Sequence, residues 1–198
     1  VAALGEMWKG GGRGYEDVVM VTLGTGVGGG IIIGGRVVAG SNGAGGEIGH
    51  LVINPEETAV CGCGGHGHLE QYASATGIVR MAKKRLAEDD APTKLREFEE
   101  LTAKHIFDCA KEQDAVAAGL ADLLGSYLAA ALRHIAAVVD PQVFVIGGGV
   151  SRAGDILLDA IRRHYNENIL YALKDKEFRL AELGNDAGIY GSARLLID

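Results

Sequence analysis

Hydrophobic residues along this 198-residue chain change rhythm several times, and each rhythm predicts an element. The first nine residues set Val1, Leu4 and Trp8 along one helical face, and Gly10-Gly11-Gly12 stops that helix. No capping residue precedes it, so the pattern reads as the tail of a helix cut from something longer. Residues 17–23 form a β-branched run ending in glycine, the signature of a buried strand. Two short apolar runs, 30–33 and 36–39, flank Gly34-Gly35 and predict a hairpin with a two-residue turn. Residues 48–54 predict another strand.

Helical spacing begins near Leu69 and runs to about Ala87, and 94–112 predicts one or two further helices with a charged surface. The longest helix starts after Asp114 as its N-cap and reaches Val139. Val116, Leu120, Leu124, Tyr127, Ala131, Ile135 and Val138 mark one face of it at three- and four-residue steps, and Asp140-Pro141 ends it. A short buried strand at 143–146 runs into Gly147-Gly148-Gly149. A helix at 155–166, a strand at 178–183 and a last helix from about 186 to Leu196 follow. Hairpins first, then helices alternating with strands, predict an α/β fold with a mixed sheet flanked by helices.

Composition narrows the function classes. With 47% hydrophobic residues the chain can build one good core, and a formal charge of −7 disfavours nucleic acid or an anionic membrane as the main partner. No uninterrupted apolar segment reaches the roughly 18–20 residues of a spanning helix, and the opening residues lack the basic start of a signal peptide. A cytoplasmic protein is expected. The 31 glycines, against 3 prolines, cluster at the ends of apolar runs, where turns and close ligand approach use them.

Four clusters carry chemistry. In Cys61-Gly62-Cys63-Gly64-Gly65-His66-Gly67-His68, two thiols two residues apart are too close for an ordinary disulfide but well placed to clamp a metal. His68 supplies a third ligand and His50 the fourth of a tetrahedral zinc site, with His66 competing with His68. Cys109 lies in a helical stretch and reads as a small buried apolar residue. Leu23-Gly24-Thr25-Gly26 and the glycines after it follow a strand and offer backbone N–H groups, with the Thr25 hydroxyl, to phosphate oxygens. Gly147-Gly148-Gly149 repeats the strand–glycine arrangement. Glu47 and Glu70, beside His50, supply acceptors for sugar hydroxyls.

Taken together, these motifs resemble the ROK family of repressors, open reading frames and kinases, and within it the glucokinases. The family's C-x-C-G-x-x-G-C-x-E element, preceded by E-x-G-H, stands here as CGCGGHGHLE (61–70) after GEIGH (46–50). LGTGVGGG (23–30), YASATGIVR (72–80), IGGGVS (146–151) and LGNDAGIYGSA (183–193) match as well. The resemblance implies an actin-like (ribonuclease H-like) ATPase lobe that phosphorylates glucose with ATP and magnesium. It implies Glu47, His50, Glu70 and Asn42 on the sugar, Gly24, Thr25, Gly26, Gly148 and Gly149 on the nucleotide, and His50, Cys61, Cys63 and His68 on zinc. The third cysteine of the family pattern is His68 here, so the expected site is two Cys and two His. The resemblance also places the general base in an N-D-A-N segment just before Ala2-Ala3-Leu4-Gly5-Glu6. The chain is therefore expected to be a C-terminal lobe, 1–198, without a catalytic residue of its own. Residues 186–198 would form a terminal helix packed toward the N-terminal lobe, and a dimer is expected. Kinases of N-acetylmannosamine, N-acetylglucosamine or fructose, a sugar-responsive repressor of the same family, and a zinc-ribbon interaction module are the competing readings.

Overall fold

The computed structural model describes residues 1–197. Helix α1 (Ala2–Lys9) leads into strand β1 (Val18–Leu23), which turns back into β2 (Val27–Ile33) and the short β3 (Arg36–Val37). Gly34 and Gly35 form the β2–β3 turn with φ of 55° and 75°, the left-handed pair that a tight hairpin requires. Helices α2 (Glu70–Ala73), α3 (Ala75–Glu88), α4 (Ala103–Lys111) and α5 (Ala115–Val139) follow. Strand β4 (Val143–Gly147), helix α6 (Asp155–Glu167), strand β5 (Glu177–Leu180) and helix α7 (Ala187–Arg194) complete the order. The last residue of the predicted 186–198 helix, 198, lies outside the described residues.

The five strands form one mixed sheet in the order β3-β2-β1-β4-β5. β1 pairs antiparallel with β2 and parallel with β4, and β4 pairs parallel with β5. Strand β1 is apolar but for Thr22 near its end, as suits a strand covered on both faces. Val19, Val21 and Leu23 join Phe144 and Ile146 in the larger core under α3, α4, α5 and α6. Val18 and Met20 join Val143, Val145 and Ile32 under Ala3 and Leu4 of α1 on the other face. Helix α7 lies on α1, with the Trp8 and Tyr190 rings 6.3 Å apart edge to face.

Three expectations change. Residues 48–54 are not a strand: Ile48–His50 is a 3₁₀ turn, followed by one isolated antiparallel bridge, Val52 to His68. The reason is packing. Ile48 is driven into β2 where Gly29 leaves room, with a Cβ on Gly29 only 2.6 Å from the Ile48 side chain. The predicted 69–87 helix breaks at Ser74, whose hydroxyl accepts the Gly77 N–H and restarts the chain as α3. Helix α5 is placed as expected, capped by Asp114 on the Ala117 N–H, but Val138 is 83% exposed. It lies on the final turn, facing away from the core on which its neighbour Val139 packs, before Asp140 leaves the helix with φ 43°. By length and composition α5 is apolar enough to cross a membrane, yet half of its most apolar window is buried in the protein.

Glu6 is the surprise of α1. Its carboxylate is fully buried and accepts N–H groups from Gly11 at 2.8 Å, Glu182 at 3.0 Å and Leu183 at 2.8 Å. Three backbone donors take the place of water around the buried carboxyl group, and they tie α1 to the segment entering α7.

Candidate sugar and metal site

The site forms at the carboxyl ends of β1 and β4, where α/β sheets bind ligands. Because β1 and β4 are parallel neighbours with Thr22 opposite Gly147, both predicted glycine turns emerge on one edge. Gly148 has φ 86° and is wedged against the Leu23 backbone, where a Cβ would collide. A Cβ on Gly149 would meet nothing within 4 Å, so that backbone is open to a ligand. The β1–β2 turn is narrower than expected. Gly24 donates to the Gly26 carbonyl at 3.0 Å, while Gly28, Gly29 and Gly30 lie inside β2 and pair across the sheet. The turn left outside the sheet is therefore Gly24–Gly26 alone, with Thr25 exposed at its tip. Helix α3 docks its first residues on this turn, Ala75 N–H to the Gly24 carbonyl at 2.8 Å and the Thr76 hydroxyl to the Thr25 carbonyl at 2.6 Å.

The loop from 51 to 69 brings the candidate metal ligands together with His50. One donor atom from each of His50, Cys61, Cys63 and His68 lies within 4.8 Å of the others. A tetrahedral zinc ion with bonds of about 2.0–2.3 Å holds such donors roughly 3.3–3.8 Å apart, so a small contraction of the exposed His50 and Cys63 suffices. Cys63 Sγ already stands 3.2 Å from His68 Nδ1, and the His50 and His68 rings meet edge to face at 5.3 Å. His66 is outside the cluster, exposed and bridged to Val60. Gly67, with φ 70°, lets the chain press against the Asn54 carbonyl and turn His68 inward.

Glu70 connects the metal loop to the glycine turn. Its Oε1 accepts from Cys61 Sγ at 2.9 Å and lies 3.9 Å from His50 Nδ1. Its Oε2 occupies space that a Cβ on Gly26 would enter at 2.6 Å. Glu47 Oε2 approaches the other ring nitrogen of His50 at 3.9 Å, so the imidazole stands between the two carboxylates. Burial, with Glu70 adding to it, pushes the Cys61 thiol up to about 11. A hollow of about 360 Å³ opens between Thr25, Gly26, Cys61, Glu70 and Thr76. Asn42 is not brought into this group: it stands exposed in a turn and hydrogen-bonds to none of Glu47, His50 or Glu70.

Sequence reasoning passed over Gln71. Its side chain accepts the His68 N–H at 3.0 Å and donates to the Ala59 carbonyl at 2.8 Å, clasping both ends of the cysteine loop. Glu57 was missed as well. Its carboxylate takes the Tyr72 hydroxyl at 2.6 Å, the Ala59 N–H at 3.0 Å and Arg80 at 2.8 Å. The Tyr72 hydroxyl, with the other donors adding to it, holds the Glu57 carboxyl down to about 2. Only the Asn54-Pro55 turn signal before Glu57 hints that this segment is fixed. Cys109 is buried in α4, and burial pushes its thiol up, as a core residue should show.

A mixed sheet whose parallel strand ends carry two adjacent glycine turns, flanked by helices on both faces, is an α/β lobe of the actin-like ATPase type. The chain belongs to the ROK family, whose sequence profile matches residues 1–198. It is 46% identical over 200 residues to the glucokinase of Halalkalibacterium halodurans, a match covering 99% of this chain and 61% of that protein. Among solved structures it is similar to a ROK family glucokinase from Streptomyces griseus in complex with glucose and AMPPNP, with TM-score 0.86 and 37% identity over 98% of this chain and 64% of that one. It is also similar to a ROK family transcriptional regulator homologous to the E. coli MLC protein, with TM-score 0.87 and 30% identity over 97% of this chain and 48% of that one. The chain thus spans about three fifths of the length of the curated glucokinases it matches.

Proposed function

We infer that this chain is the sugar-, metal- and nucleotide-binding lobe of an ATP-dependent hexose kinase that converts glucose to glucose 6-phosphate. The placement of Glu70 carries the reading: one carboxylate touches a metal-ligand cysteine on one side and the strand-end glycine turn on the other. Sugar and triphosphate would therefore meet at a single edge of the sheet. The similarity to glucokinases, one of them solved with glucose and AMPPNP, supports the substrate pair.

In this reading Glu47, His50 and Glu70 accept and donate hydrogen bonds to the sugar hydroxyls and fix its orientation, a contribution of positioning. The Gly24–Gly26 turn and the Gly148-Gly149 backbone receive the phosphates. The sugar 6-hydroxyl oxygen attacks the γ-phosphorus, the bond to the β-phosphate oxygen breaks, and the hydroxyl proton passes to a carboxylate expected upstream of Val1. Magnesium would accompany the nucleotide as its counter-charge. Zinc, held by His50, Cys61, Cys63 and His68, would order the loop that carries Glu70, with no bond made or broken on it. The exposed apolar residues Ile189, Leu195, Leu196 and Ile197 of the terminal segment suit packing against an N-terminal lobe. A cytoplasmic dimer without nucleic-acid or membrane partners completes the proposal. Asn42, exposed in its turn, stays in the proposed binding set on the family resemblance alone.

The test is an ATP-coupled assay of the full-length protein across hexoses. Glucose should be the preferred substrate, and Glu70→Gln should lower kcat/KM by about 10- to 100-fold, the size of one lost hydrogen bond to a charged group. Equal turnover of acetamido sugars would sink the glucose assignment. The similarity to the transcriptional regulator supports a second reading, a sugar sensor without catalysis. Sugar binding by calorimetry with no affinity for ATP would select it.

A further inference from the structure

A second hollow, larger than the cleft beside Glu70, lies on the far side of α3's first turns. About 660 Å³ opens between the 54–58 loop, α3 and the first half of α5, a size that fits a small molecule. Its walls differ sharply in chemistry. One wall is apolar and belongs to α5, where Val116, Leu120 and the 40%-exposed Leu123 face the space. The floor is aromatic and belongs to Tyr127, whose ring lies 4.3 Å from that of the buried Tyr72, tilted by 31°, while Arg80 stands over the Tyr72 ring. The opposite wall is polar and already rigid. Asn54 donates to the Tyr72 hydroxyl at 2.8 Å, which donates to Glu57, and Arg80 donates to the same carboxylate oxygen.

Gly119 gives an independent indication. Glycine inside a helix costs about 1 kcal/mol relative to alanine, so it needs a reason to be there. Elsewhere in α5 the reason is packing: a Cβ on Gly125 would lie 2.6 Å from Ala160 of α6. A Cβ on Gly119 would meet no atom within 4 Å, yet Gly119 lines the hollow. Among the described residues nothing packs against Gly119, so the backbone of α5 lies bare to an occupant at this point.

We propose that this hollow is a second ligand site, for a neutral mono- or disaccharide, separate from the cleft that holds Glu70. The charges argue for neutrality. Glu56, Glu57 and Glu88 on the lining are matched by Arg80, Lys84 and Arg85, so neither an anion nor a cation is favoured overall. The shape argues for a sugar ring, whose CH face stacks on an aromatic floor while its hydroxyls reach fixed carboxylate, amide and guanidinium groups. Arg80 borders both hollows and also donates to the Gln71 carbonyl at 3.0 Å. Occupancy of one site is thereby placed next to residues of the other.

The experiment uses saturation-transfer NMR on the full-length protein with glucose, mannose, maltose, sucrose and trehalose at millimolar concentration. At least one sugar should keep its signal in Glu47→Ala/Glu70→Ala, which takes away both carboxylates proposed to hold a sugar in the first cleft, and lose it tenfold or more when Gly119→Leu or Tyr127→Ala is added to that double variant. Gly119→Leu fills the space and raises helix propensity, so an unchanged or higher Tm shows that the loss is not unfolding. The proposal is overturned if no sugar gives a signal in Glu47→Ala/Glu70→Ala, or if such a signal survives the addition of Gly119→Leu. It is also overturned if Gly119→Leu converts a dimer to a monomer in sedimentation, which would make the hollow a contact between copies. None of these outcomes depends on whether the first cleft phosphorylates glucose.

Discussion

His68 stands where relatives of this pattern carry cysteine, and the structure makes the substitution chemically consistent. Its ring reaches Cys63 at 3.2 Å and its backbone N–H is held by Gln71, so the imidazole is aimed before any metal arrives. His66, two residues earlier, is turned away to the surface. Zinc content and chelator competition on purified protein should therefore separate the two: His68→Ala lowers affinity by at least about 10²-fold, more than the loss of an outer-shell partner costs, and His66→Ala leaves it unchanged. Equal losses in both would remove His68 from the ligand set. In metal-free protein the exposed Cys63 should react with a thiol reagent well before the buried Cys61 and Cys109, and zinc should protect it.

At the scale of elements, Asp114 does more than cap. It accepts Ala117 N–H at the start of α5, and also the Thr93 hydroxyl at 2.9 Å and Lys94 N–H at 2.8 Å, tying the preceding loop to the helix. Asp114→Ala should cost about 2 kcal/mol, and Asp114→Asn much less because the amide still caps. A melting experiment would show the first as a drop of roughly 4–8 °C for a protein of this size. This cap was legible in the sequence, as were β1, the glycine hairpin, α5 and the strand–glycine ends, because each is decided by neighbours close in the chain. The 48–54 segment was not. Its β-branched residues suit a strand, but Ile48 is captured by β2 some twenty residues back, a tertiary contact that local propensity does not encode. The metal group was readable as a set because glycines and ligands alternate; which histidine points inward was not, since that depends on Gln71 and on the close approach of Gly67 to Asn54. Glu6 gave no sign of burial, because its partners are backbone amides spread over 170 residues.

For the molecule as a whole, acid stability should turn on the polar network at Glu57. Its carboxyl is held at about 2 against an ordinary 4.5, chiefly by the Tyr72 hydroxyl. A carboxyl lowered by folding contributes stability that is complete above the unfolded value and disappears as pH falls from about 4.5 toward about 2. A plot of Tm against pH for Glu57→Gln should be lower than wild type at neutral pH and converge with it at the acid end. Parallel curves across that window would mean that Glu57 is not ionised through this network.

The meeting of α1 and α7 has one more consequence. A Cβ on Gly191 would strike the Val1 carbonyl and one on Gly5 would strike the Ala187 carbonyl, so the first and last helices of the described body cross at a single corner. Two helix backbones far apart in the chain thus meet with no side chain between them, and a side chain of any size at Gly5 or Gly191 would push α7 off α1.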